Sequence, residues 1–137
     1  MAVRNIKSKV KNLPILYVAD DGSFKIVETD ASNIGWGGVL KQRPSEKSQK
    51  NEEKIVQYVS GVWIKAENNY STIEKEVKAA WNCVSKFSIH LVNKFFLLRT
   101  DAKALDKVIS KEIKNPEDAK FARWQVLFAN FTLKLNI

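Results

Sequence analysis

The sequence predicts an α/β domain in which a five-stranded mixed sheet is flanked by helices. Three segments rich in β-branched and aromatic residues come first, and an amphipathic helical segment follows them. A short apolar run then separates this helix from further helical segments. Strands joined by short connections pair antiparallel, whereas a helix between two strands permits a parallel crossover. The predicted order is therefore β-β-β-α-β-α-α-β in one sheet.

The first three strands are expected to form an antiparallel meander. Alternation over residues 24–29 predicts strand one, and small residues at 31–35 predict a turn into strand two at 36–41. The polar, proline-containing segment 42–54 predicts a solvated loop. Residues 55–65 are β-branched and aromatic, and they predict strand three.

The best-defined helix is expected to begin near Thr72. Ser71 is followed three residues later by Glu74, which is the spacing of a capping box. The residues at helical spacing that follow form one core-facing stripe: Ile73, Val77, Ala80, Trp81, Val84, Phe87 and Leu91. The apolar run at 95–100 is too short for an independent helix, and it predicts a buried fourth strand.

Two helical segments and one strand complete the prediction. Residues 102–109 have helical period, and Asn115-Pro116 predicts the start of a helix that reaches about Asn130. Its inward-facing residues are expected to be Phe121, Trp124, Gln125 and Phe128. Residues 132–137 alternate and predict the last strand.

The composition indicates one basic globular domain. A chain of 137 residues is long enough for one core and too short for two. The formal charge of +8 favours polyanionic partners such as nucleic acids. The one cysteine, Cys83, excludes an internal disulfide and a multi-cysteine metal site, and it favours a reducing compartment. The sequence shows neither a membrane-length apolar run nor a signal peptide, so we expect no membrane association and no secretion.

Three acidic residues stand out by their positions in the predicted elements. Asp30 ends strand one, Glu76 lies in the first helix, and Asp101 directly follows strand four. If strands one and four are neighbours, both aspartates leave the same end of the sheet, where the helix can place Glu76 between them. Clustered carboxylates repel each other unless a cation neutralises them, and oxygen ligands suit Mg²⁺ or Mn²⁺. An acidic metal cleft beside a basic surface has the polarity expected of a nuclease.

Each of these acids also has an ordinary interpretation. Asp30 alone is more often a turn residue, Glu76 a solvated helix residue, and Asp101 the N-cap of the next helix.

Four segments together resemble the ribonuclease H domain of reverse-transcriptase polyproteins, most closely those of plant pararetroviruses of the caulimovirus and tungro type. The segments are IVETDASNIGWGGVL, YVSGVWIKAENNYSTIEKEVKAAW, FFLLRTDAKAL and RWQVLFANFTLKLNI. The resemblance implies a ribonuclease H-like fold in which Asp30, Glu76 and Asp101 are catalytic and hold two Mg²⁺ or Mn²⁺ ions. It also implies hydrolysis of the RNA strand of RNA–DNA hybrids during viral reverse transcription, beside a polymerase domain of the same polyprotein.

Further nucleic-acid contacts are expected from five residues, Ser32, Asn33, Lys103, Arg123 and Trp124. Their ordinary alternatives are turn formation for the first two, solubility for the two basic residues, and a core position for the tryptophan. The resemblance places the domain in the host cell cytoplasm or the virus particle, and we expect the isolated domain to be monomeric.

The sequence departs from the family pattern at its end. The family usually carries a fourth carboxylate in a helix after the final strand, whereas this chain stops at Ile137, so that helix is absent. We favour a piece of a longer polyprotein, with residues 1–13 as a basic lead-in from the polymerase connection and 14–137 as the ribonuclease H-like domain. The alternatives are a catalytically weakened module that binds hybrid or braces the polymerase, and a different two-metal nuclease or transposase-like enzyme.

Overall fold

Alternating and β-branched residues form five strands in residues 16–110 and 119–136, the part of the chain that the computed structural model describes. The strands are β1 (Phe24–Ala31), β2 (Gly35–Arg43), β3 (Lys54–Val62), β4 (Phe95–Arg99) and β5 (Thr132–Asn136). The helices are α1 (Thr72–Lys86), α2 (Ser88–Leu91), α3 (Leu105–Ser110) and α4 (Ala119–Phe128), and short 3₁₀ turns occupy Lys50–Glu52 and Glu67–Asn69.

The strands form one mixed sheet in the order β3-β2-β1-β4-β5. β1, β2 and β3 pair antiparallel, while β4 lies parallel to β1 and β5 lies parallel to β4. The predicted fold class, element order and mixed sheet are thereby confirmed. β1 and β4 are central neighbours, although 63 residues separate the end of one from the start of the other.

Helix α1 begins where the capping box predicts. The Ser71 hydroxyl accepts a hydrogen bond from the Glu74 backbone N–H at 3.1 Å, and the Ser71 N–H donates to the Glu74 carboxylate at 3.2 Å. These two bonds satisfy backbone donors at the helix start. The helix therefore starts at Thr72, as predicted.

The predicted stripe of α1 is confirmed over most of its length and wrong at its first residue. Val77, Val84 and Phe87 are fully buried, but Ile73 is 53% exposed because the first turn of α1 lies at the protein surface. The helix also ends earlier than the stripe, at Lys86, and the short helix α2 carries the last stripe residue into the core.

A glycine lets α1 lie close to β2. A Cβ atom on Gly38 would lie 2.3 Å from the Sγ atom of Cys83, far inside van der Waals contact. Cys83 is fully buried, and burial raises the pKa of its thiol. Cys83 is thus a packing residue at the closest approach of helix and sheet.

Several element boundaries differ from the predictions because pairing with a neighbour decides where a strand ends. β1 continues through Asp30 and Ala31, and β2 continues into the predicted loop as far as Arg43, because the two strands pair along their full lengths. β3 stops at Val62, three residues early, because its partner strand β2 begins at Gly35, the residue opposite Val62.

The later helices differ from the predictions at the ends that the structure describes. α3 begins at Leu105 rather than Ala102, because hydrogen-bonded turns occupy the intervening residues. α4 ends at Phe128, and the predicted helix start at Asn115-Pro116 lies outside the described residues. Along α4 the inward side is confirmed for Trp124 and Phe128, which are buried, while Phe121 and Gln125 are only half-buried.

Within the two described ranges, none of the helices has the length and apolarity needed to cross a bilayer.

Candidate active site

The parallel pairing of β1 and β4 brings Asp30 and Asp101 to the same end of the sheet. The last registered pair of these strands is Glu28 with Arg99. Asp30 and Asp101 each follow that pair by two residues. Because residues two apart on a strand share a face and parallel strands run in step, the two aspartates leave the sheet together.

Asp30 is a half-buried carboxylate on the edge of the site. Its Oδ1 atom accepts a hydrogen bond from the Ala31 backbone N–H at 2.8 Å, and its cross-strand partner, Gly37, has no side chain to cover it. Burial raises the pKa of Asp30; the bond from Ala31 opposes this change, and the negative charge of Asp101 adds to it.

Helix α1 carries Glu76 to the same place. Burial raises the pKa of Glu76, and the charges of Asp101 and Asp30 raise it further. The three carboxylates that the sequence singles out therefore lie close enough to repel each other electrostatically. Helix α1 thus brings Glu76 within electrostatic range of both aspartates near the end of the β1–β4 pair.

Asp101 is exposed in the turn between β4 and α3. Thr100 fixes the start of this turn, since its hydroxyl accepts from the Ala102 N–H at 3.1 Å and its own N–H donates to Asn136 at 3.1 Å. The Asp101 carbonyl oxygen accepts from the Lys103 N–H at 2.9 Å. Because α3 begins only at Leu105, the helix-capping alternative for Asp101 is wrong.

The donor atoms of this cluster suit Mg²⁺ or Mn²⁺, because all three side chains offer carboxylate oxygens. Burial raises the pKa values of Asp30 and Glu76, and repulsion from nearby carboxylates raises them further; a divalent cation would relieve that repulsion. Across residues 16–110 and 119–136, no three acidic, histidine or cysteine side chains approach closely enough to enclose a metal ion. The carboxylates form an open surface of oxygen donors.

Ser32 and Asn33 line a small cleft beside Glu76, together with Ala31, Thr72 and Lys75. The Ser32 hydroxyl accepts from the backbone N–H groups of Ile34 and Gly35 at 3.3 and 3.2 Å, so it shapes the β1–β2 turn. Asn33 is exposed. The structure thus brings both expected contact residues next to the carboxylates.

The other three expected contacts are placed differently. Lys103 and Arg123 are exposed, the first of them two residues beyond Asp101. Trp124 is only 7% exposed and packs edge-on against Tyr70 and Phe121, with ring centroids 6.3 and 5.6 Å apart. The structure therefore places Trp124 in the core, where its rings face other aromatic side chains, and not at the expected contact with nucleic acid.

Lys75 is a site residue that the sequence reasoning missed. It is 8% exposed, and its Nζ atom donates to the Asn33 carbonyl oxygen at 3.2 Å, which joins α1 to the β1–β2 turn. A signal existed in the sequence, because Lys75 and Ala79 lie one helical turn apart on a side that is buried. A lysine beside two glutamates is nevertheless usually read as solvated.

Comparison with known proteins gives the same picture of the fold and the family. The chain is 35% identical over 127 residues to the enzymatic polyprotein of carnation etched ring virus, covering 92% of this chain and 18% of that protein. It is 37% identical over 136 residues to polyprotein P3 of Commelina yellow mottle virus, covering 98% of this chain and 7% of that protein. The chain therefore spans a minor part of each relative.

A solved structure shares the fold at low sequence identity. The foamy viral protease–reverse transcriptase, solved in complex with an RNA/DNA hybrid, superposes with a TM-score of 0.61 and 17% identity, covering 96% of this chain and 17% of that one. The family model for the RNase H-like domain found in reverse transcriptase matches residues 20–131. Because that match takes in most of the chain, this protein belongs to the RNase H-like domains found in reverse transcriptase.

Proposed function

We propose that this domain is the ribonuclease H of a plant pararetrovirus reverse transcriptase and hydrolyses the RNA strand of RNA–DNA hybrids. The observation that supports the proposal is the parallel β1–β4 pairing, which puts Asp30 and Asp101 at one end of the sheet with Glu76 of α1 within electrostatic range. Membership of the family supports it, as does the hybrid bound by the foamy viral relative of the same fold.

The three carboxylates would hold two Mg²⁺ or Mn²⁺ ions, with Asp30 shared between the ions and Glu76 and Asp101 completing their ligand sets. Two such ions supply an activated water and charge neutralisation at the leaving oxygen in phosphodiester hydrolysis. The chain contributes the geometry, because β1 and β4 fix the two aspartates while α1 brings Glu76 from above the sheet.

The substrate would lie across the cleft beside Ser32 and Asn33. Proteins distinguish RNA from DNA by its 2′-hydroxyls and by the shape of the A-form minor groove. The turn offers an exposed amide at Asn33, and the exposed Lys103 and Arg123 offer phosphate contacts. The formal charge of +8 supports binding of a polyanion outside the acidic cluster.

Labelled RNA–DNA hybrid incubated with the chain in Mg²⁺ or Mn²⁺ tests the proposal. We expect cleavage of the RNA strand, none of duplex DNA, and a loss of at least about a hundredfold in Asp30→Asn, since a shared metal ligand is removed. The matched control is Asp21→Asn, which removes an exposed carboxylate that pairs with Lys94 at 3.3 Å in the turn before β1, and it should keep full activity.

A second candidate is a module that binds hybrid or braces the polymerase without cutting. One observation favours it: in the described residues, the carboxylates do not enclose a metal ion. Tight hybrid binding with no cleavage in either metal would establish this candidate and reject the hydrolase. Cleavage of duplex DNA would instead indicate a different two-metal nuclease.

The polymerase of the same polyprotein is the proposed protein partner, because the similar viral proteins are polyproteins of which this chain matches a small part. The host cytoplasm or the virus particle is the corresponding proposed location. A monomer is proposed for the isolated domain, and sedimentation equilibrium would test it.

A further inference from the structure

Two residues before the aspartates, the same two strands carry an ion pair. Glu28 of β1 and Arg99 of β4 are the last registered pair, and the Arg99 Nη1 atom donates to the Glu28 Oε2 atom at 2.9 Å. Beyond this pair the strands lead directly to Asp30 and Asp101. The Glu28–Arg99 bond is therefore a side-chain link between β1 and β4 immediately before the carboxylates.

Arg99 itself makes three hydrogen bonds to two carboxylates, those of Glu28 and Glu53. Its guanidinium makes two parallel bonds of 2.6 Å to the Glu53 carboxylate, in the bidentate geometry that is strongest for arginine. Glu28 also accepts from Lys41 at 2.9 Å, and Glu53 accepts from Arg43 at 2.9 Å. These five residues, here named the cross-strand ion cluster, tie β1, β2 and β4 to the residue before β3.

The cluster is less exposed to solvent than an ordinary surface ion pair. The Glu53 side chain is 3% exposed and the Arg99 side chain 17% exposed, so water screens them little. Burial acts to raise the pKa of Glu53, but its bonds with Arg99 and the nearby positive charges lower the pKa overall. Both partners therefore stay ionised and bonded at neutral pH.

The neighbouring carboxylates need such a link. Asp30 and Asp101 repel each other, and this repulsion acts to separate the ends of β1 and β4 whenever no cation lies between them. A bond across the same two strands, one pair earlier, opposes that separation. We propose that Arg99 is a positioning residue: it ties β1 to β4 beside Asp30 and Asp101 so that both aspartates can bind one divalent cation, and it does not touch the cation itself. The inference rests on the proposed function, because it takes these aspartates as metal ligands.

Mn²⁺ binding to the protein without substrate, followed by electron paramagnetic resonance, tests the inference independently of cleavage. Arg99→Gln removes a positive charge close to a cation site, so charge alone predicts tighter Mn²⁺ binding. Loss of positioning predicts the opposite, and we expect binding about tenfold weaker, the effect typical of residues that orient metal ligands. The Mn²⁺ concentration for half-maximal cleavage should rise by the same factor, with the rate at saturating Mn²⁺ within about threefold of wild type.

Arg43→Gln is the matched control. Arg43 bonds the same Glu53 carboxylate but contacts neither Glu28 nor β4 within the described residues, so its loss should leave Mn²⁺ affinity unchanged or slightly higher. Mn²⁺ binding in Arg99→Gln that equals or exceeds that of wild type would overturn the inference. So would an equal weakening in Arg43→Gln.

A second pair of variants keeps the test decisive if Arg99→Gln does not fold. Glu28→Gln and Glu28→Ala remove the same charge, but only glutamine can still accept a hydrogen bond from Arg99. We expect Mn²⁺ binding at least about threefold weaker in Glu28→Ala than in Glu28→Gln, and equal affinities would overturn the inference. Wild-type protein that binds no Mn²⁺ and cuts no hybrid would reject the proposed metal site itself, whereas an active wild type with unaffected variants rejects only the role of Arg99.

Discussion

Lys75 donates a hydrogen bond to the carbonyl oxygen of Asn33 at 3.2 Å, and this bond joins the first turns of α1 to the turn between β1 and β2. Glu76 is the next residue on the helix, and Asp30 lies three residues before Asn33. The bond therefore connects the two segments that carry Glu76 and Asp30 in the candidate active site. Lys75 is almost fully buried, so water cannot easily replace the Asn33 carbonyl oxygen as its partner.

We expect Lys75→Met to lower kcat/KM for hybrid cleavage at least tenfold. Methionine keeps the apolar part of the side chain, so a lower kcat/KM would result from the missing hydrogen bond to Asn33 and not from a cavity. A buried hydrogen bond of a charged group contributes about 1.5–3 kcal/mol, so the free energy of unfolding should decrease by an amount in that range. Lys78→Met is the control on the same helix, because Lys78 pairs with Glu67 only at 3.8 Å. Equal kcat/KM values in the two variants would contradict a role for Lys75 in the site.

Gly38→Ala should destabilise the domain by about 1–3 kcal/mol, as overpacking does in a closed core. The added methyl would lie 2.3 Å from the Cys83 Sγ atom, so α1 must shift away from β2 and carry Glu76 with it. Urea unfolding measures the loss. The double variant with Cys83→Ala should recover part of the stability, because the sulfur is removed, whereas additive losses would contradict this explanation.

Gly22→Ala is the control for glycine replacement in this chain. A Cβ atom there would meet only the Asp20 Oδ1 atom at 3.5 Å, an ordinary contact. Its effect should stay within about 0.5 kcal/mol.

Local signals in the sequence were sufficient to predict the order of the elements. Long-range contacts determined where some elements end and which of their residues are exposed. The start of α1 could be predicted because Ser71 and Glu74 interact within one turn. The end of β1 could not, because Asp30 and Ala31 join the strand only through pairing with β2. The exposure of Ile73 likewise depends on where α1 lies, which its own spacing does not reveal.

The candidate site shows the same division. Three carboxylates could be picked out from motifs as candidate ligands, and the parallel pairing of β1 with β4 puts two of them, Asp30 and Asp101, at the same end of the sheet. Helical spacing predicted the inward position of Trp124, and its burial argues against the expected contact with nucleic acid. The burial of Lys75 could not be predicted, since it depends on the carbonyl group of Asn33, which is distant in sequence.

Arg123→Gln and Lys103→Gln should each weaken hybrid binding more at low salt than at high salt. Both side chains are exposed, and a lysine or arginine that contacts a phosphate adds about one to the slope of log K against log salt. Fluorescence anisotropy in Ca²⁺ at several salt concentrations measures the slope. Lys86→Gln, at the far end of α1, is the control, and an equal change in its slope would show that only total charge matters.

Asp30→Asn should stabilise the metal-free protein at neutral pH. The pKa of Asp30 is raised in the fold, so its ionised form is disfavoured there relative to the unfolded chain. A group of this kind contributes stability below its unfolded pKa and loses that contribution as the pH rises through its folded pKa. At pH 7 in EDTA, urea unfolding should therefore show the variant to be more stable than wild type.

The same comparison at low pH supplies the control. Below the ordinary aspartate pKa of 3.8, the carboxyl is protonated in both states, so the difference between the variant and wild type should shrink towards zero. A variant that is less stable than wild type at pH 7 would contradict a raised pKa of Asp30, which burial and then the charge of Asp101 produce.

Divalent cations should reverse this order of stability. A ligand that binds only the folded state stabilises it by RT ln(1 + [L]/Kd), which is about 2.7 kcal/mol at a hundredfold excess over Kd. Wild-type protein should therefore melt at a higher temperature as Mn²⁺ is added, while Asp30→Asn should gain little because it lacks the shared ligand. Ca²⁺ provides a second probe, since it also binds carboxylate oxygens at longer distances. Equal rises in melting temperature for both proteins would show that the cations bind elsewhere, and the three carboxylates would then have no role as a metal site.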